Sequence, residues 1–410
     1  MSSLQHKDLI ARCAPCFVYD ERLIRRQAQL LRSAFPDFSL LYSVKANPFP
    51  RILQTINNEG WGVDVASSGE LRLASQIGFR SENIFYSAPG KSLEDIAVGL
   101  MDSRLCVDSL GEMRAIASLC TSKDRHVEVG LRINPDFSMT HPEPVASQFG
   151  IDVEQLPEVL NLLKQHPQIH IEGLHLHVKT QVLDTSLIGD YWKRCFSLAC
   201  DLQNILGCRI HYLNFGSGIG ETFAEGGESA VDLCLLSKYA KHISLANQLG
   251  PRFELCMESG RFLVCRAGTY FTVVEDVKVS RGQTFIIVRN ALNGFMRPAM
   301  SNFVLSNNAN PKRAQEPLFT FPHAHSVYAP FVEMKSLQRV PVVGNLCTAL
   351  DVIARDVELP ALQRGDIIAV SCAGAYAFTL SPQLFSGHEP PRQCWIDSFD
   401  RFSLFADNQA

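Results

Sequence analysis

The sequence predicts an α/β fold: a (β/α)8 TIM barrel followed by a smaller, mostly β C-terminal domain. As far as residue 258, short apolar runs rich in β-branched and aromatic residues alternate with stretches of helical periodicity. Eight such runs lie between residues 40 and 258, which is the strand count and length of a closed parallel barrel. Beyond residue 258 the helical periodicity fades, and short apolar runs are separated by turn residues.

The predicted elements follow from these two periodicities. The barrel strands are 40–44, 62–65, 83–86, 104–107, 127–133, 171–178, 209–215 and 253–257. The helices between them are 51–59, 68–77, 93–100, 110–119, 153–165, 186–206 and 230–248. In the C-terminal part we expect strands at 269–279, 284–288, 340–343 and 366–370, one short helical turn at 348–353 and a loop at 299–315. The domains are therefore predicted as a barrel at 21–267 and a β domain made of 1–20 and 268–410.

Composition and charge exclude several classes of function. The 410 residues are 46% hydrophobic and carry a formal net charge of −4, without the basic surplus that a nucleic-acid partner requires. No apolar run reaches the roughly 18 residues of a membrane span, and the N-terminus lacks the apolar core of a signal peptide. The 13 cysteines include one close pair, Cys13 and Cys16, with no second pair to complete a zinc site. We expect a cytoplasmic protein with reduced thiols, no metal, and neither a nucleic-acid nor a membrane partner.

Reactive side chains gather at the predicted ends of the barrel strands, where barrel enzymes carry out their chemistry. They are Lys45, the pair His175 and His177, the glycine-rich loop 216–220, Glu258 and Arg261. A desolvated lysine forms Schiff bases, and a glycine-rich loop can present N–H groups to a phosphate. Each feature also has a plain alternative: a solvent-exposed lysine, a ligand-free turn, a core histidine, a salt bridge between Glu258 and Arg261. Together at one mouth, they favour a pyridoxal-phosphate site.

Seven ordered motifs resemble those of the fold-type III pyridoxal-phosphate decarboxylases, the family of diaminopimelate and ornithine decarboxylases. They are YSVKANP (42–48), GVDVASSGEL (62–71), HLHVKT (175–180), FGSGIG (215–220), ESGR (258–261), CTALD (347–351) and GAYA (374–377). The resemblance extends from about residue 17 to residue 391, nearly the whole chain. It implies a barrel with a β domain of the alanine-racemase type, pyridoxal 5'-phosphate as the cofactor, and decarboxylation of an amino acid.

The resemblance also implies the role of each motif residue. Lys45 is implied as the Schiff-base residue, His177 as the residue over the cofactor ring, and Cys347 as the proton donor. The further implied cofactor contacts are Asp64, Thr180, Gly216, Ser217, Gly218, Glu258, Gly260, Arg261 and Tyr376. A head-to-tail homodimer is implied as well, in which Cys347 and Tyr376 enter the site from the partner chain. Taken alone, Cys347 would more often be a buried small hydrophobe, and its motif is what favours the catalytic role.

Departures from the family pattern bear on the substrate. Thr180 replaces a serine and keeps its hydroxyl, whereas Lys179, Ser217 and Ser259 replace two glycines and a proline. Thr348 stands where the family carries an acid that grips the far ammonium of the substrate. Since threonine carries no charge, a free distal amine is not expected to be the recognised feature.

The substrate pocket is nevertheless expected to bind carboxylates. Arg297, in FMRPAM, matches the arginine that diaminopimelate enzymes use near the distal carboxylate, and Ser301 replaces a bulky tyrosine of that motif. LFSGHEPP (384–391) resembles the Phe-x-Ser-His variants of decarboxylases in secondary metabolism, including those that act on citryl-amino acids of siderophores. Thr348, Arg297, Cys347 and Tyr376 are therefore the predicted substrate residues.

The sequence thus predicts a pyridoxal-phosphate-dependent L-amino-acid decarboxylase, best fitted to a siderophore intermediate such as a citryl-diamino acid. Diaminopimelate decarboxylase of lysine biosynthesis is the alternative within the class. An inactive decarboxylase-like binding protein is an alternative of another class, against which the retention of Lys45, His177, Glu258, Cys347 and Tyr376 speaks. A racemase of the same fold type is disfavoured by Cys347. A free and a carrier-linked substrate are both compatible with these residues.

Overall fold

The protein divides into two compact units. The computed structural model describes residues 6–120, 126–139, 143–222, 230–306 and 325–405. One unit, here the barrel unit, comprises the described residues of 28–220 and 230–260. The other, here the β unit, comprises those of 1–27, 221–229 and 261–410. The domain bounds drawn from the sequence stay a prediction.

The strands and helices are as follows. The strands are β1 (Cys16–Asp20), β2 (Ser39–Ser43), β3 (Gly62–Val65), β4 (Ile84–Tyr86), β5 (Arg104–Val107), β6 (Val127–Asn134), β7 (Ile151–Asp152), β8 (Ile169–His175), β9 (Tyr212–Asn214), β10 (Glu254–Ser259), β11 (Gly268–Ser280), β12 (Gln283–Val288), β13 (Val327–Tyr328), β14 (Gln338–Gly344), β15 (Val352–Leu359), β16 (Ile367–Val370), β17 (Arg392–Ile396) and β18 (Phe402–Leu404). The helices are α1 (Lys7–Cys13), α2 (Glu21–Ala34), α3 (Pro50–Asn58), α4 (Ser68–Ile77), α5 (Leu93–Asp102), α6 (Leu110–Leu119), α7 (Leu156–Gln165), α8 (Thr185–Leu206), α9 (Leu233–Leu249), α10 (Arg261–Val264) and α11 (Met296–Ser306). Among these described helices, none is both long and apolar enough to cross a lipid bilayer.

Eight parallel strands close the barrel. The order is β2, β3, β4, β5, β6, β8, β9 and β10, and β10 pairs back onto β2 with Met257 opposite Leu40. The predicted TIM barrel is thereby confirmed. All eight predicted strands are present, although the sixth ends at His175 and the seventh is confined to Tyr212–Asn214. Strands buried on both faces have continuous apolar sequences, which explains why the pattern was readable from the sequence.

Local sequence signals fix where the barrel helices begin and end. The side chains of Ser67, Ser92 and Ser109 accept hydrogen bonds from N–H groups in the first turns of α4, α5 and α6. Gly78 and Gly207 end α4 and α8 in the left-handed conformation, which glycine adopts without a steric penalty. These caps fix the ends of the helices.

The barrel interior is shaped around the ring of Tyr212. The side chain is fully buried, and its ring packs edge-to-face against Phe85 at 5.1 Å and lies under the guanidinium of Arg104 at 4.8 Å. A methyl group placed on Gly173 would lie 2.1 Å from the ring, and one placed on Gly130 would lie 2.1 Å from the hydroxyl. The two glycines therefore provide the space that this ring fills.

The β unit is built on one mixed sheet. Its strand order is β15, β14, β12, β11, β1, β17 and β18, while β16 pairs with both β11 and β13. β1 pairs antiparallel with β11 and parallel with β17, so that the N-terminal residues complete a sheet formed mainly by the C-terminal part. The mostly β character predicted for this region is confirmed.

Two local predictions in the β unit are wrong. The segment 299–315 was expected to be a loop, but residues 299–306 belong to helix α11, where Asn302 bonds the carbonyls of Val352 and Ile353; residues 307–315 lie outside the described part. The segment 348–353 was expected to be helical, but it forms a turn that leads into β15. In both places tertiary contacts outweigh a weak local propensity.

Substitution of Gly173 tests the packing inside the barrel. Gly173→Ala overpacks against the Tyr212 ring, which costs about 1–3 kcal/mol of unfolding free energy. Gly69→Ala is the matched control, because a methyl group there meets only the Ser67 hydroxyl at 3.6 Å and improves helix propensity. Urea-unfolding midpoints measure the difference. Equal midpoints for the two variants would contradict the tight packing.

Candidate active site

Lys45 lies at the mouth of the barrel, just beyond β2. The strand ends at Ser43, and a single helical turn over Val44–Ala46 carries the lysine. Its Nζ lies 3.3 Å from Oδ2 of Asp64, whose side chain is fully buried, while the lysine side chain is 47% exposed. Lys45 therefore lies at the predicted strand end, but its side chain is exposed and not desolvated as the Schiff-base interpretation expected, and its role stays a prediction.

Gly260 allows the end of β10 to approach this turn. A methyl group on Gly260 would lie 2.9 Å from Cβ of Ala46 and 3.1 Å from Cβ of Ser43. The glycine therefore acts through close backbone packing beside Lys45. Its predicted direct contact with the cofactor stays a prediction.

Asp64 is held by two donors. Besides Lys45, the hydroxyl of Ser87 donates to Oδ1 at 2.5 Å. Burial raises the pKa of Asp64, and the nearby negative charge of Glu258 raises it further, against the effects of Lys45 and Ser87. Ser87 was not singled out from the sequence, since a serine after a buried strand carries no distinctive signal.

His175, the last residue of β8, and His177, two residues further on, lie on the same side of the chain. Nε2 of His175 lies 3.1 Å from Oε1 of Glu258, and the rings of His175 and His177 are nearly parallel, 8° apart. Burial lowers the pKa of His177 to about 3, so that its imidazole is neutral at physiological pH. No described residue accepts or donates a hydrogen bond at its buried Nδ1.

The glycine loop after β9 presents two backbone N–H groups that have no partner in the described chain. Gly216 and Gly218 have φ of +60° and +77°, the left-handed region that favours glycine. A methyl group on Gly216 would lie 2.2 Å from Nδ1 of His177, so the histidine ring rests directly on this loop. Within the described chain, the N–H groups of Ser217 and Gly218 donate no hydrogen bond. Successive N–H groups around a left-handed residue are a common way to bind phosphate.

Glu258 is the central buried acid of the site. Its Oε1 accepts a hydrogen bond from Nδ2 of Asn214 at 2.8 Å, in addition to the contact with His175. Burial alone would raise the pKa of Glu258, but His175 beside it and the charge of Lys45 hold that pKa well below its usual range. The side chain is therefore an ionised carboxylate inside the barrel.

Two further polar residues lie near the mouth of the barrel. Arg132 was not predicted from the sequence, and Glu70 has a structural role. Arg132, at the end of β6, is buried and donates to Asp108 at 3.2 Å and to the carbonyl of Ser87 at 3.3 Å. A basic residue at the end of an apolar strand is the signal that would have found it. Glu70, part of the second motif, instead caps the chain before α4 by accepting from the N–H of Ala66 at 2.8 Å.

In the β unit, two buried arginines flank Tyr376. The guanidinium groups of Arg261 and Arg297 lie 4.7 Å and 5.1 Å from the centre of the tyrosine ring. Nε of Arg297 donates to the carbonyl of Tyr376 at 2.9 Å, and Tyr376 itself has a left-handed backbone with φ of +51°. Arg297 thus holds the tyrosine in place. Its predicted contact with a substrate carboxylate stays a prediction.

Cys347 and Thr348 lie on an organised turn between β14 and β15. The carboxylate of Asp351 accepts from the N–H groups of Leu292 at 2.7 Å and Leu346 at 2.8 Å, which folds the turn around it. Cys347 is exposed, so the interpretation of this residue as a buried hydrophobe is wrong. Thr348 is half-buried, and its hydroxyl accepts from the N–H of Leu350. Asp351, the last residue of the Cys-x-x-x-Asp motif, therefore fixes the turn on which Cys347, the first residue of the motif, lies.

The remaining predicted residues separate between the units. Lys45, Asp64, His177, Glu258 and the glycine loop belong to the barrel unit, together with the half-buried Thr180. Arg261, Arg297, Cys347, Thr348 and Tyr376 belong to the β unit. Each group is assembled within its own unit.

Comparison with known proteins identifies a family model over the barrel. The model for the pyridoxal-binding domain of pyridoxal-dependent decarboxylases matches residues 21–265. A diaminopimelate decarboxylase from Archaeoglobus fulgidus is 31% identical over 97% of this chain and 90% of its own length. An L-glutamyl-[BtrI acyl-carrier protein] decarboxylase from Niallia circulans is 30% identical over 92% of this chain and 87% of its own.

A third relative has a citrate-like substrate in its name. It is the 2-[(L-alanin-3-ylcarbamoyl)methyl]-2-hydroxybutanedioate decarboxylase of Staphylococcus aureus, 28% identical over 93% of each chain. Among solved structures, diaminopimelate decarboxylase from Helicobacter pylori complexed with L-lysine superposes with a TM-score of 0.79 at 26% identity, covering 95% of this chain and 93% of the other.

The residues described above fit pyridoxal 5'-phosphate. The two N–H groups without partners in the described glycine loop suit its phosphate, and the ionised Glu258 suits a protonated ring nitrogen. The neutral, flat imidazole of His177 suits the face of the ring, and the accessible amine of Lys45 suits the aldehyde. Four chemically distinct parts of the cofactor thus have a matching group within the barrel unit.

Borohydride reduction tests the assignment of Lys45. We expect the purified protein to be yellow and reduction to fix the cofactor on Lys45 in near-stoichiometric amount, because its amine is accessible beside the buried Asp64. Peptide mapping by mass spectrometry identifies the modified lysine. Lys179, the other lysine of the motifs in the barrel unit, is the internal control. Modification of Lys179, or none at full cofactor occupancy, would overturn the assignment.

Proposed function

Because the chain belongs to the pyridoxal-dependent decarboxylases, and is thus a carboxy-lyase that uses pyridoxal 5'-phosphate on an amino acid, we propose that its substrate is a carboxylate-rich L-amino acid such as a citryl-diamino acid. One observation carries the proposal: the turn with Cys347 presents the neutral Thr348 where the family pattern has an acid. A buried ammonium needs a charged or hydrogen-bonded partner, and threonine supplies no charge. The enzyme is proposed to act in the cytoplasm.

The relatives support this class of substrate. The name of the staphylococcal relative describes an alanine joined by an amide to a hydroxybutanedioate, which places two carboxylates at the far end of the molecule. Arg297 is the cation that we assign to such a carboxylate, through a two-pronged contact of its guanidinium. Ser301 is buried on α11 and is smaller than the tyrosine of the family pattern, and we propose that this difference makes room for a larger substrate.

Each predicted site residue of the barrel unit is assigned a role in the reaction. Bound pyridoxal phosphate supplies an electron-withdrawing ring that stabilises the negative charge left when CO2 departs. Glu258 would keep a proton on the ring nitrogen, since its own carboxylate stays ionised. His177 would cover one face of the ring and exclude water, and the amine of Lys45 would hold the aldehyde end of the cofactor. The loop around Gly218 and the hydroxyl of Thr180 would hold the phosphate.

The β unit is proposed to complete the site of a second chain in a head-to-tail homodimer. Cys347 is exposed on its turn, as expected of a thiol that acts on a ligand outside its own unit. We assign it to proton delivery at the carbon that loses CO2. Tyr376, fixed between Arg261 and Arg297, is assigned to the phosphate.

Two other substrates deserve direct comparison. Diaminopimelate is favoured by the retention of Arg297 and by the 31% identical archaeal relative. A glutamyl group on a carrier protein is favoured by the 30% identical relative that is named for this reaction. The three candidates differ at the distal end, which is where Thr348 and Arg297 are assigned.

A substrate panel tests the proposal. We expect kcat/KM to be highest for a citryl-diamino acid and lower for meso-diaminopimelate, ornithine and lysine. An ammonium that faces Thr348 loses a charge-assisted bond of about 1.5–3 kcal/mol, or roughly one to two decades. CO2 release measures all substrates, including glutamyl carrier protein. Ornithine or lysine as the best substrate would refute the pocket argument, and diaminopimelate or the carrier protein would select the corresponding alternative.

The same panel isolates the role of Arg297. Arg297→Ala should reduce kcat/KM most for the carboxylate-rich substrate. Arg339→Ala is the control, since Arg339 is exposed and pairs only with Asp356 and Glu358 in the described structure. An equal loss on every substrate would show that Arg297 serves Tyr376 alone.

Mixing inactive variants tests the shared site. Lys45→Ala and Cys347→Ala should each be nearly inactive, and subunit exchange should restore about a quarter of the wild-type activity, because one of two sites in each heterodimer is intact. Lys45→Ala mixed with Glu258→Gln is the control, since both changes damage barrel units. Recovery in neither mixture, despite demonstrated exchange, would place the whole site within one chain.

A further inference from the structure

Asn214 links two parts of the site that bind different ends of the cofactor. It is the last residue of β9, and its side chain is buried, with 1% exposure. Nδ2 donates to Oε1 of Glu258 at 2.8 Å, and Oδ1 accepts from the N–H of Gly216 at 2.9 Å. The side-chain amide supplies both a donor and an acceptor here, whereas an ionised carboxylate cannot donate and an aliphatic chain does neither.

These contacts form a closed ring of three hydrogen bonds. The third bond runs between backbones, from the N–H of Glu258 to the carbonyl of Gly216 at 2.7 Å. Gly216 is therefore bound on both sides, at its N–H by Asn214 and at its carbonyl by Glu258. A closed ring resists distortion more than separate bonds do, since moving one member strains the other two.

The ring of three hydrogen bonds leaves one oxygen of Glu258 and two N–H groups of the glycine loop available to a ligand. Both side-chain contacts of Glu258, from Asn214 and from His175, fall on Oε1, so that Oε2 is the oxygen left for a ring nitrogen. The N–H of Gly216 is used by Asn214, whereas those of Ser217 and Gly218 have no partner among the described residues. The ring therefore fixes the carboxylate and the loop without blocking either.

We propose that Asn214 is a positioning residue that locks the carboxylate for the ring nitrogen and the loop for the phosphate into one rigid body. This inference rests on the roles proposed above for Glu258 and the glycine loop. It adds that the two ends of the cofactor are bound by one preorganised structure, so that loss of Asn214 weakens both ends together.

Two ligands separate the two ends experimentally. The affinity for pyridoxal depends on contacts with the pyridine end alone. The affinity for pyridoxal 5'-phosphate depends on contacts with both the pyridine end and the phosphate end. For full-length Asn214→Leu we expect pyridoxal to bind more weakly, by roughly ten-fold, and pyridoxal 5'-phosphate to lose roughly ten- to hundred-fold, the larger loss. Equilibrium dialysis gives the affinities, and the circular-dichroism band of the bound cofactor, which depends on a fixed orientation, should also shrink.

Asn247→Leu is the matched control. Asn247 is a buried asparagine of α9 whose amide likewise bonds two backbone groups, the N–H and carbonyl of Phe253, both at 2.8 Å. It should destabilise the fold without changing either affinity. If Asn214→Leu does not fold, Asn214→Ser, which is too short to bond both partners, carries the same expectation.

Each outcome decides a specific point. An unchanged pyridoxal affinity in the Asn214 variant would limit Asn214 to the loop, and equal losses for the two ligands would limit it to Glu258; either result overturns the proposal. Behaviour identical to Asn247→Leu overturns it as well. If Glu258→Gln weakens pyridoxal while Asn214→Leu does not, the inference alone fails. If Glu258→Gln changes neither affinity, the proposed role of Glu258 fails and the inference falls with it.

Discussion

The pairing of β10 with β2 is the constraint on which the rest of the site depends. It closes the barrel and sets Glu258 opposite Leu41 and Ser259 opposite Tyr42. The carboxylate is thereby fixed inside the barrel, and Gly260 packs against the turn that carries Lys45. A shift of register by one residue would turn Glu258 away from the interior, because successive strand side chains point to opposite faces.

The pKa values of two buried carboxylates within this barrel are shifted in opposite directions. Burial and Glu258 raise the pKa of Asp64, whereas His175 and Lys45 lower that of Glu258. Burial opposes ionisation of Glu258 as well, but His175 beside it and the charge of Lys45 favour its ionised form. This difference gives Glu258 the charge that a protonated pyridine nitrogen requires, and it leaves Asp64 as the partner of Lys45.

Glycine supplies the close approaches that the site needs. Gly216 admits the ring of His177, and Gly260 admits the backbone beside Lys45. In the β unit, Gly344 lies so close to the carboxylate of Asp351 that a methyl group there would be 2.0 Å away. The turn bearing Cys347 and the glycine loop after β9 are thus both organised by a glycine packed against a polar side chain.

The sequence by itself determined the barrel, because strands buried on both faces and amphipathic helices leave continuous and periodic apolar patterns. It also located Lys45, Glu258 and the glycine loop, since strand ends in a closed barrel converge on one mouth. Only the tertiary structure decided that Asn214 joins Glu258 to Gly216 and that Arg297 holds Tyr376. The bonds from Asn214 to Glu258 and from Arg297 to Tyr376 join residues far apart in the chain, and their geometry depends on strand register and side-chain direction, which no local pattern encodes. For the same reason, residues 299–306 became helical through packing on β15, against a local composition typical of a loop.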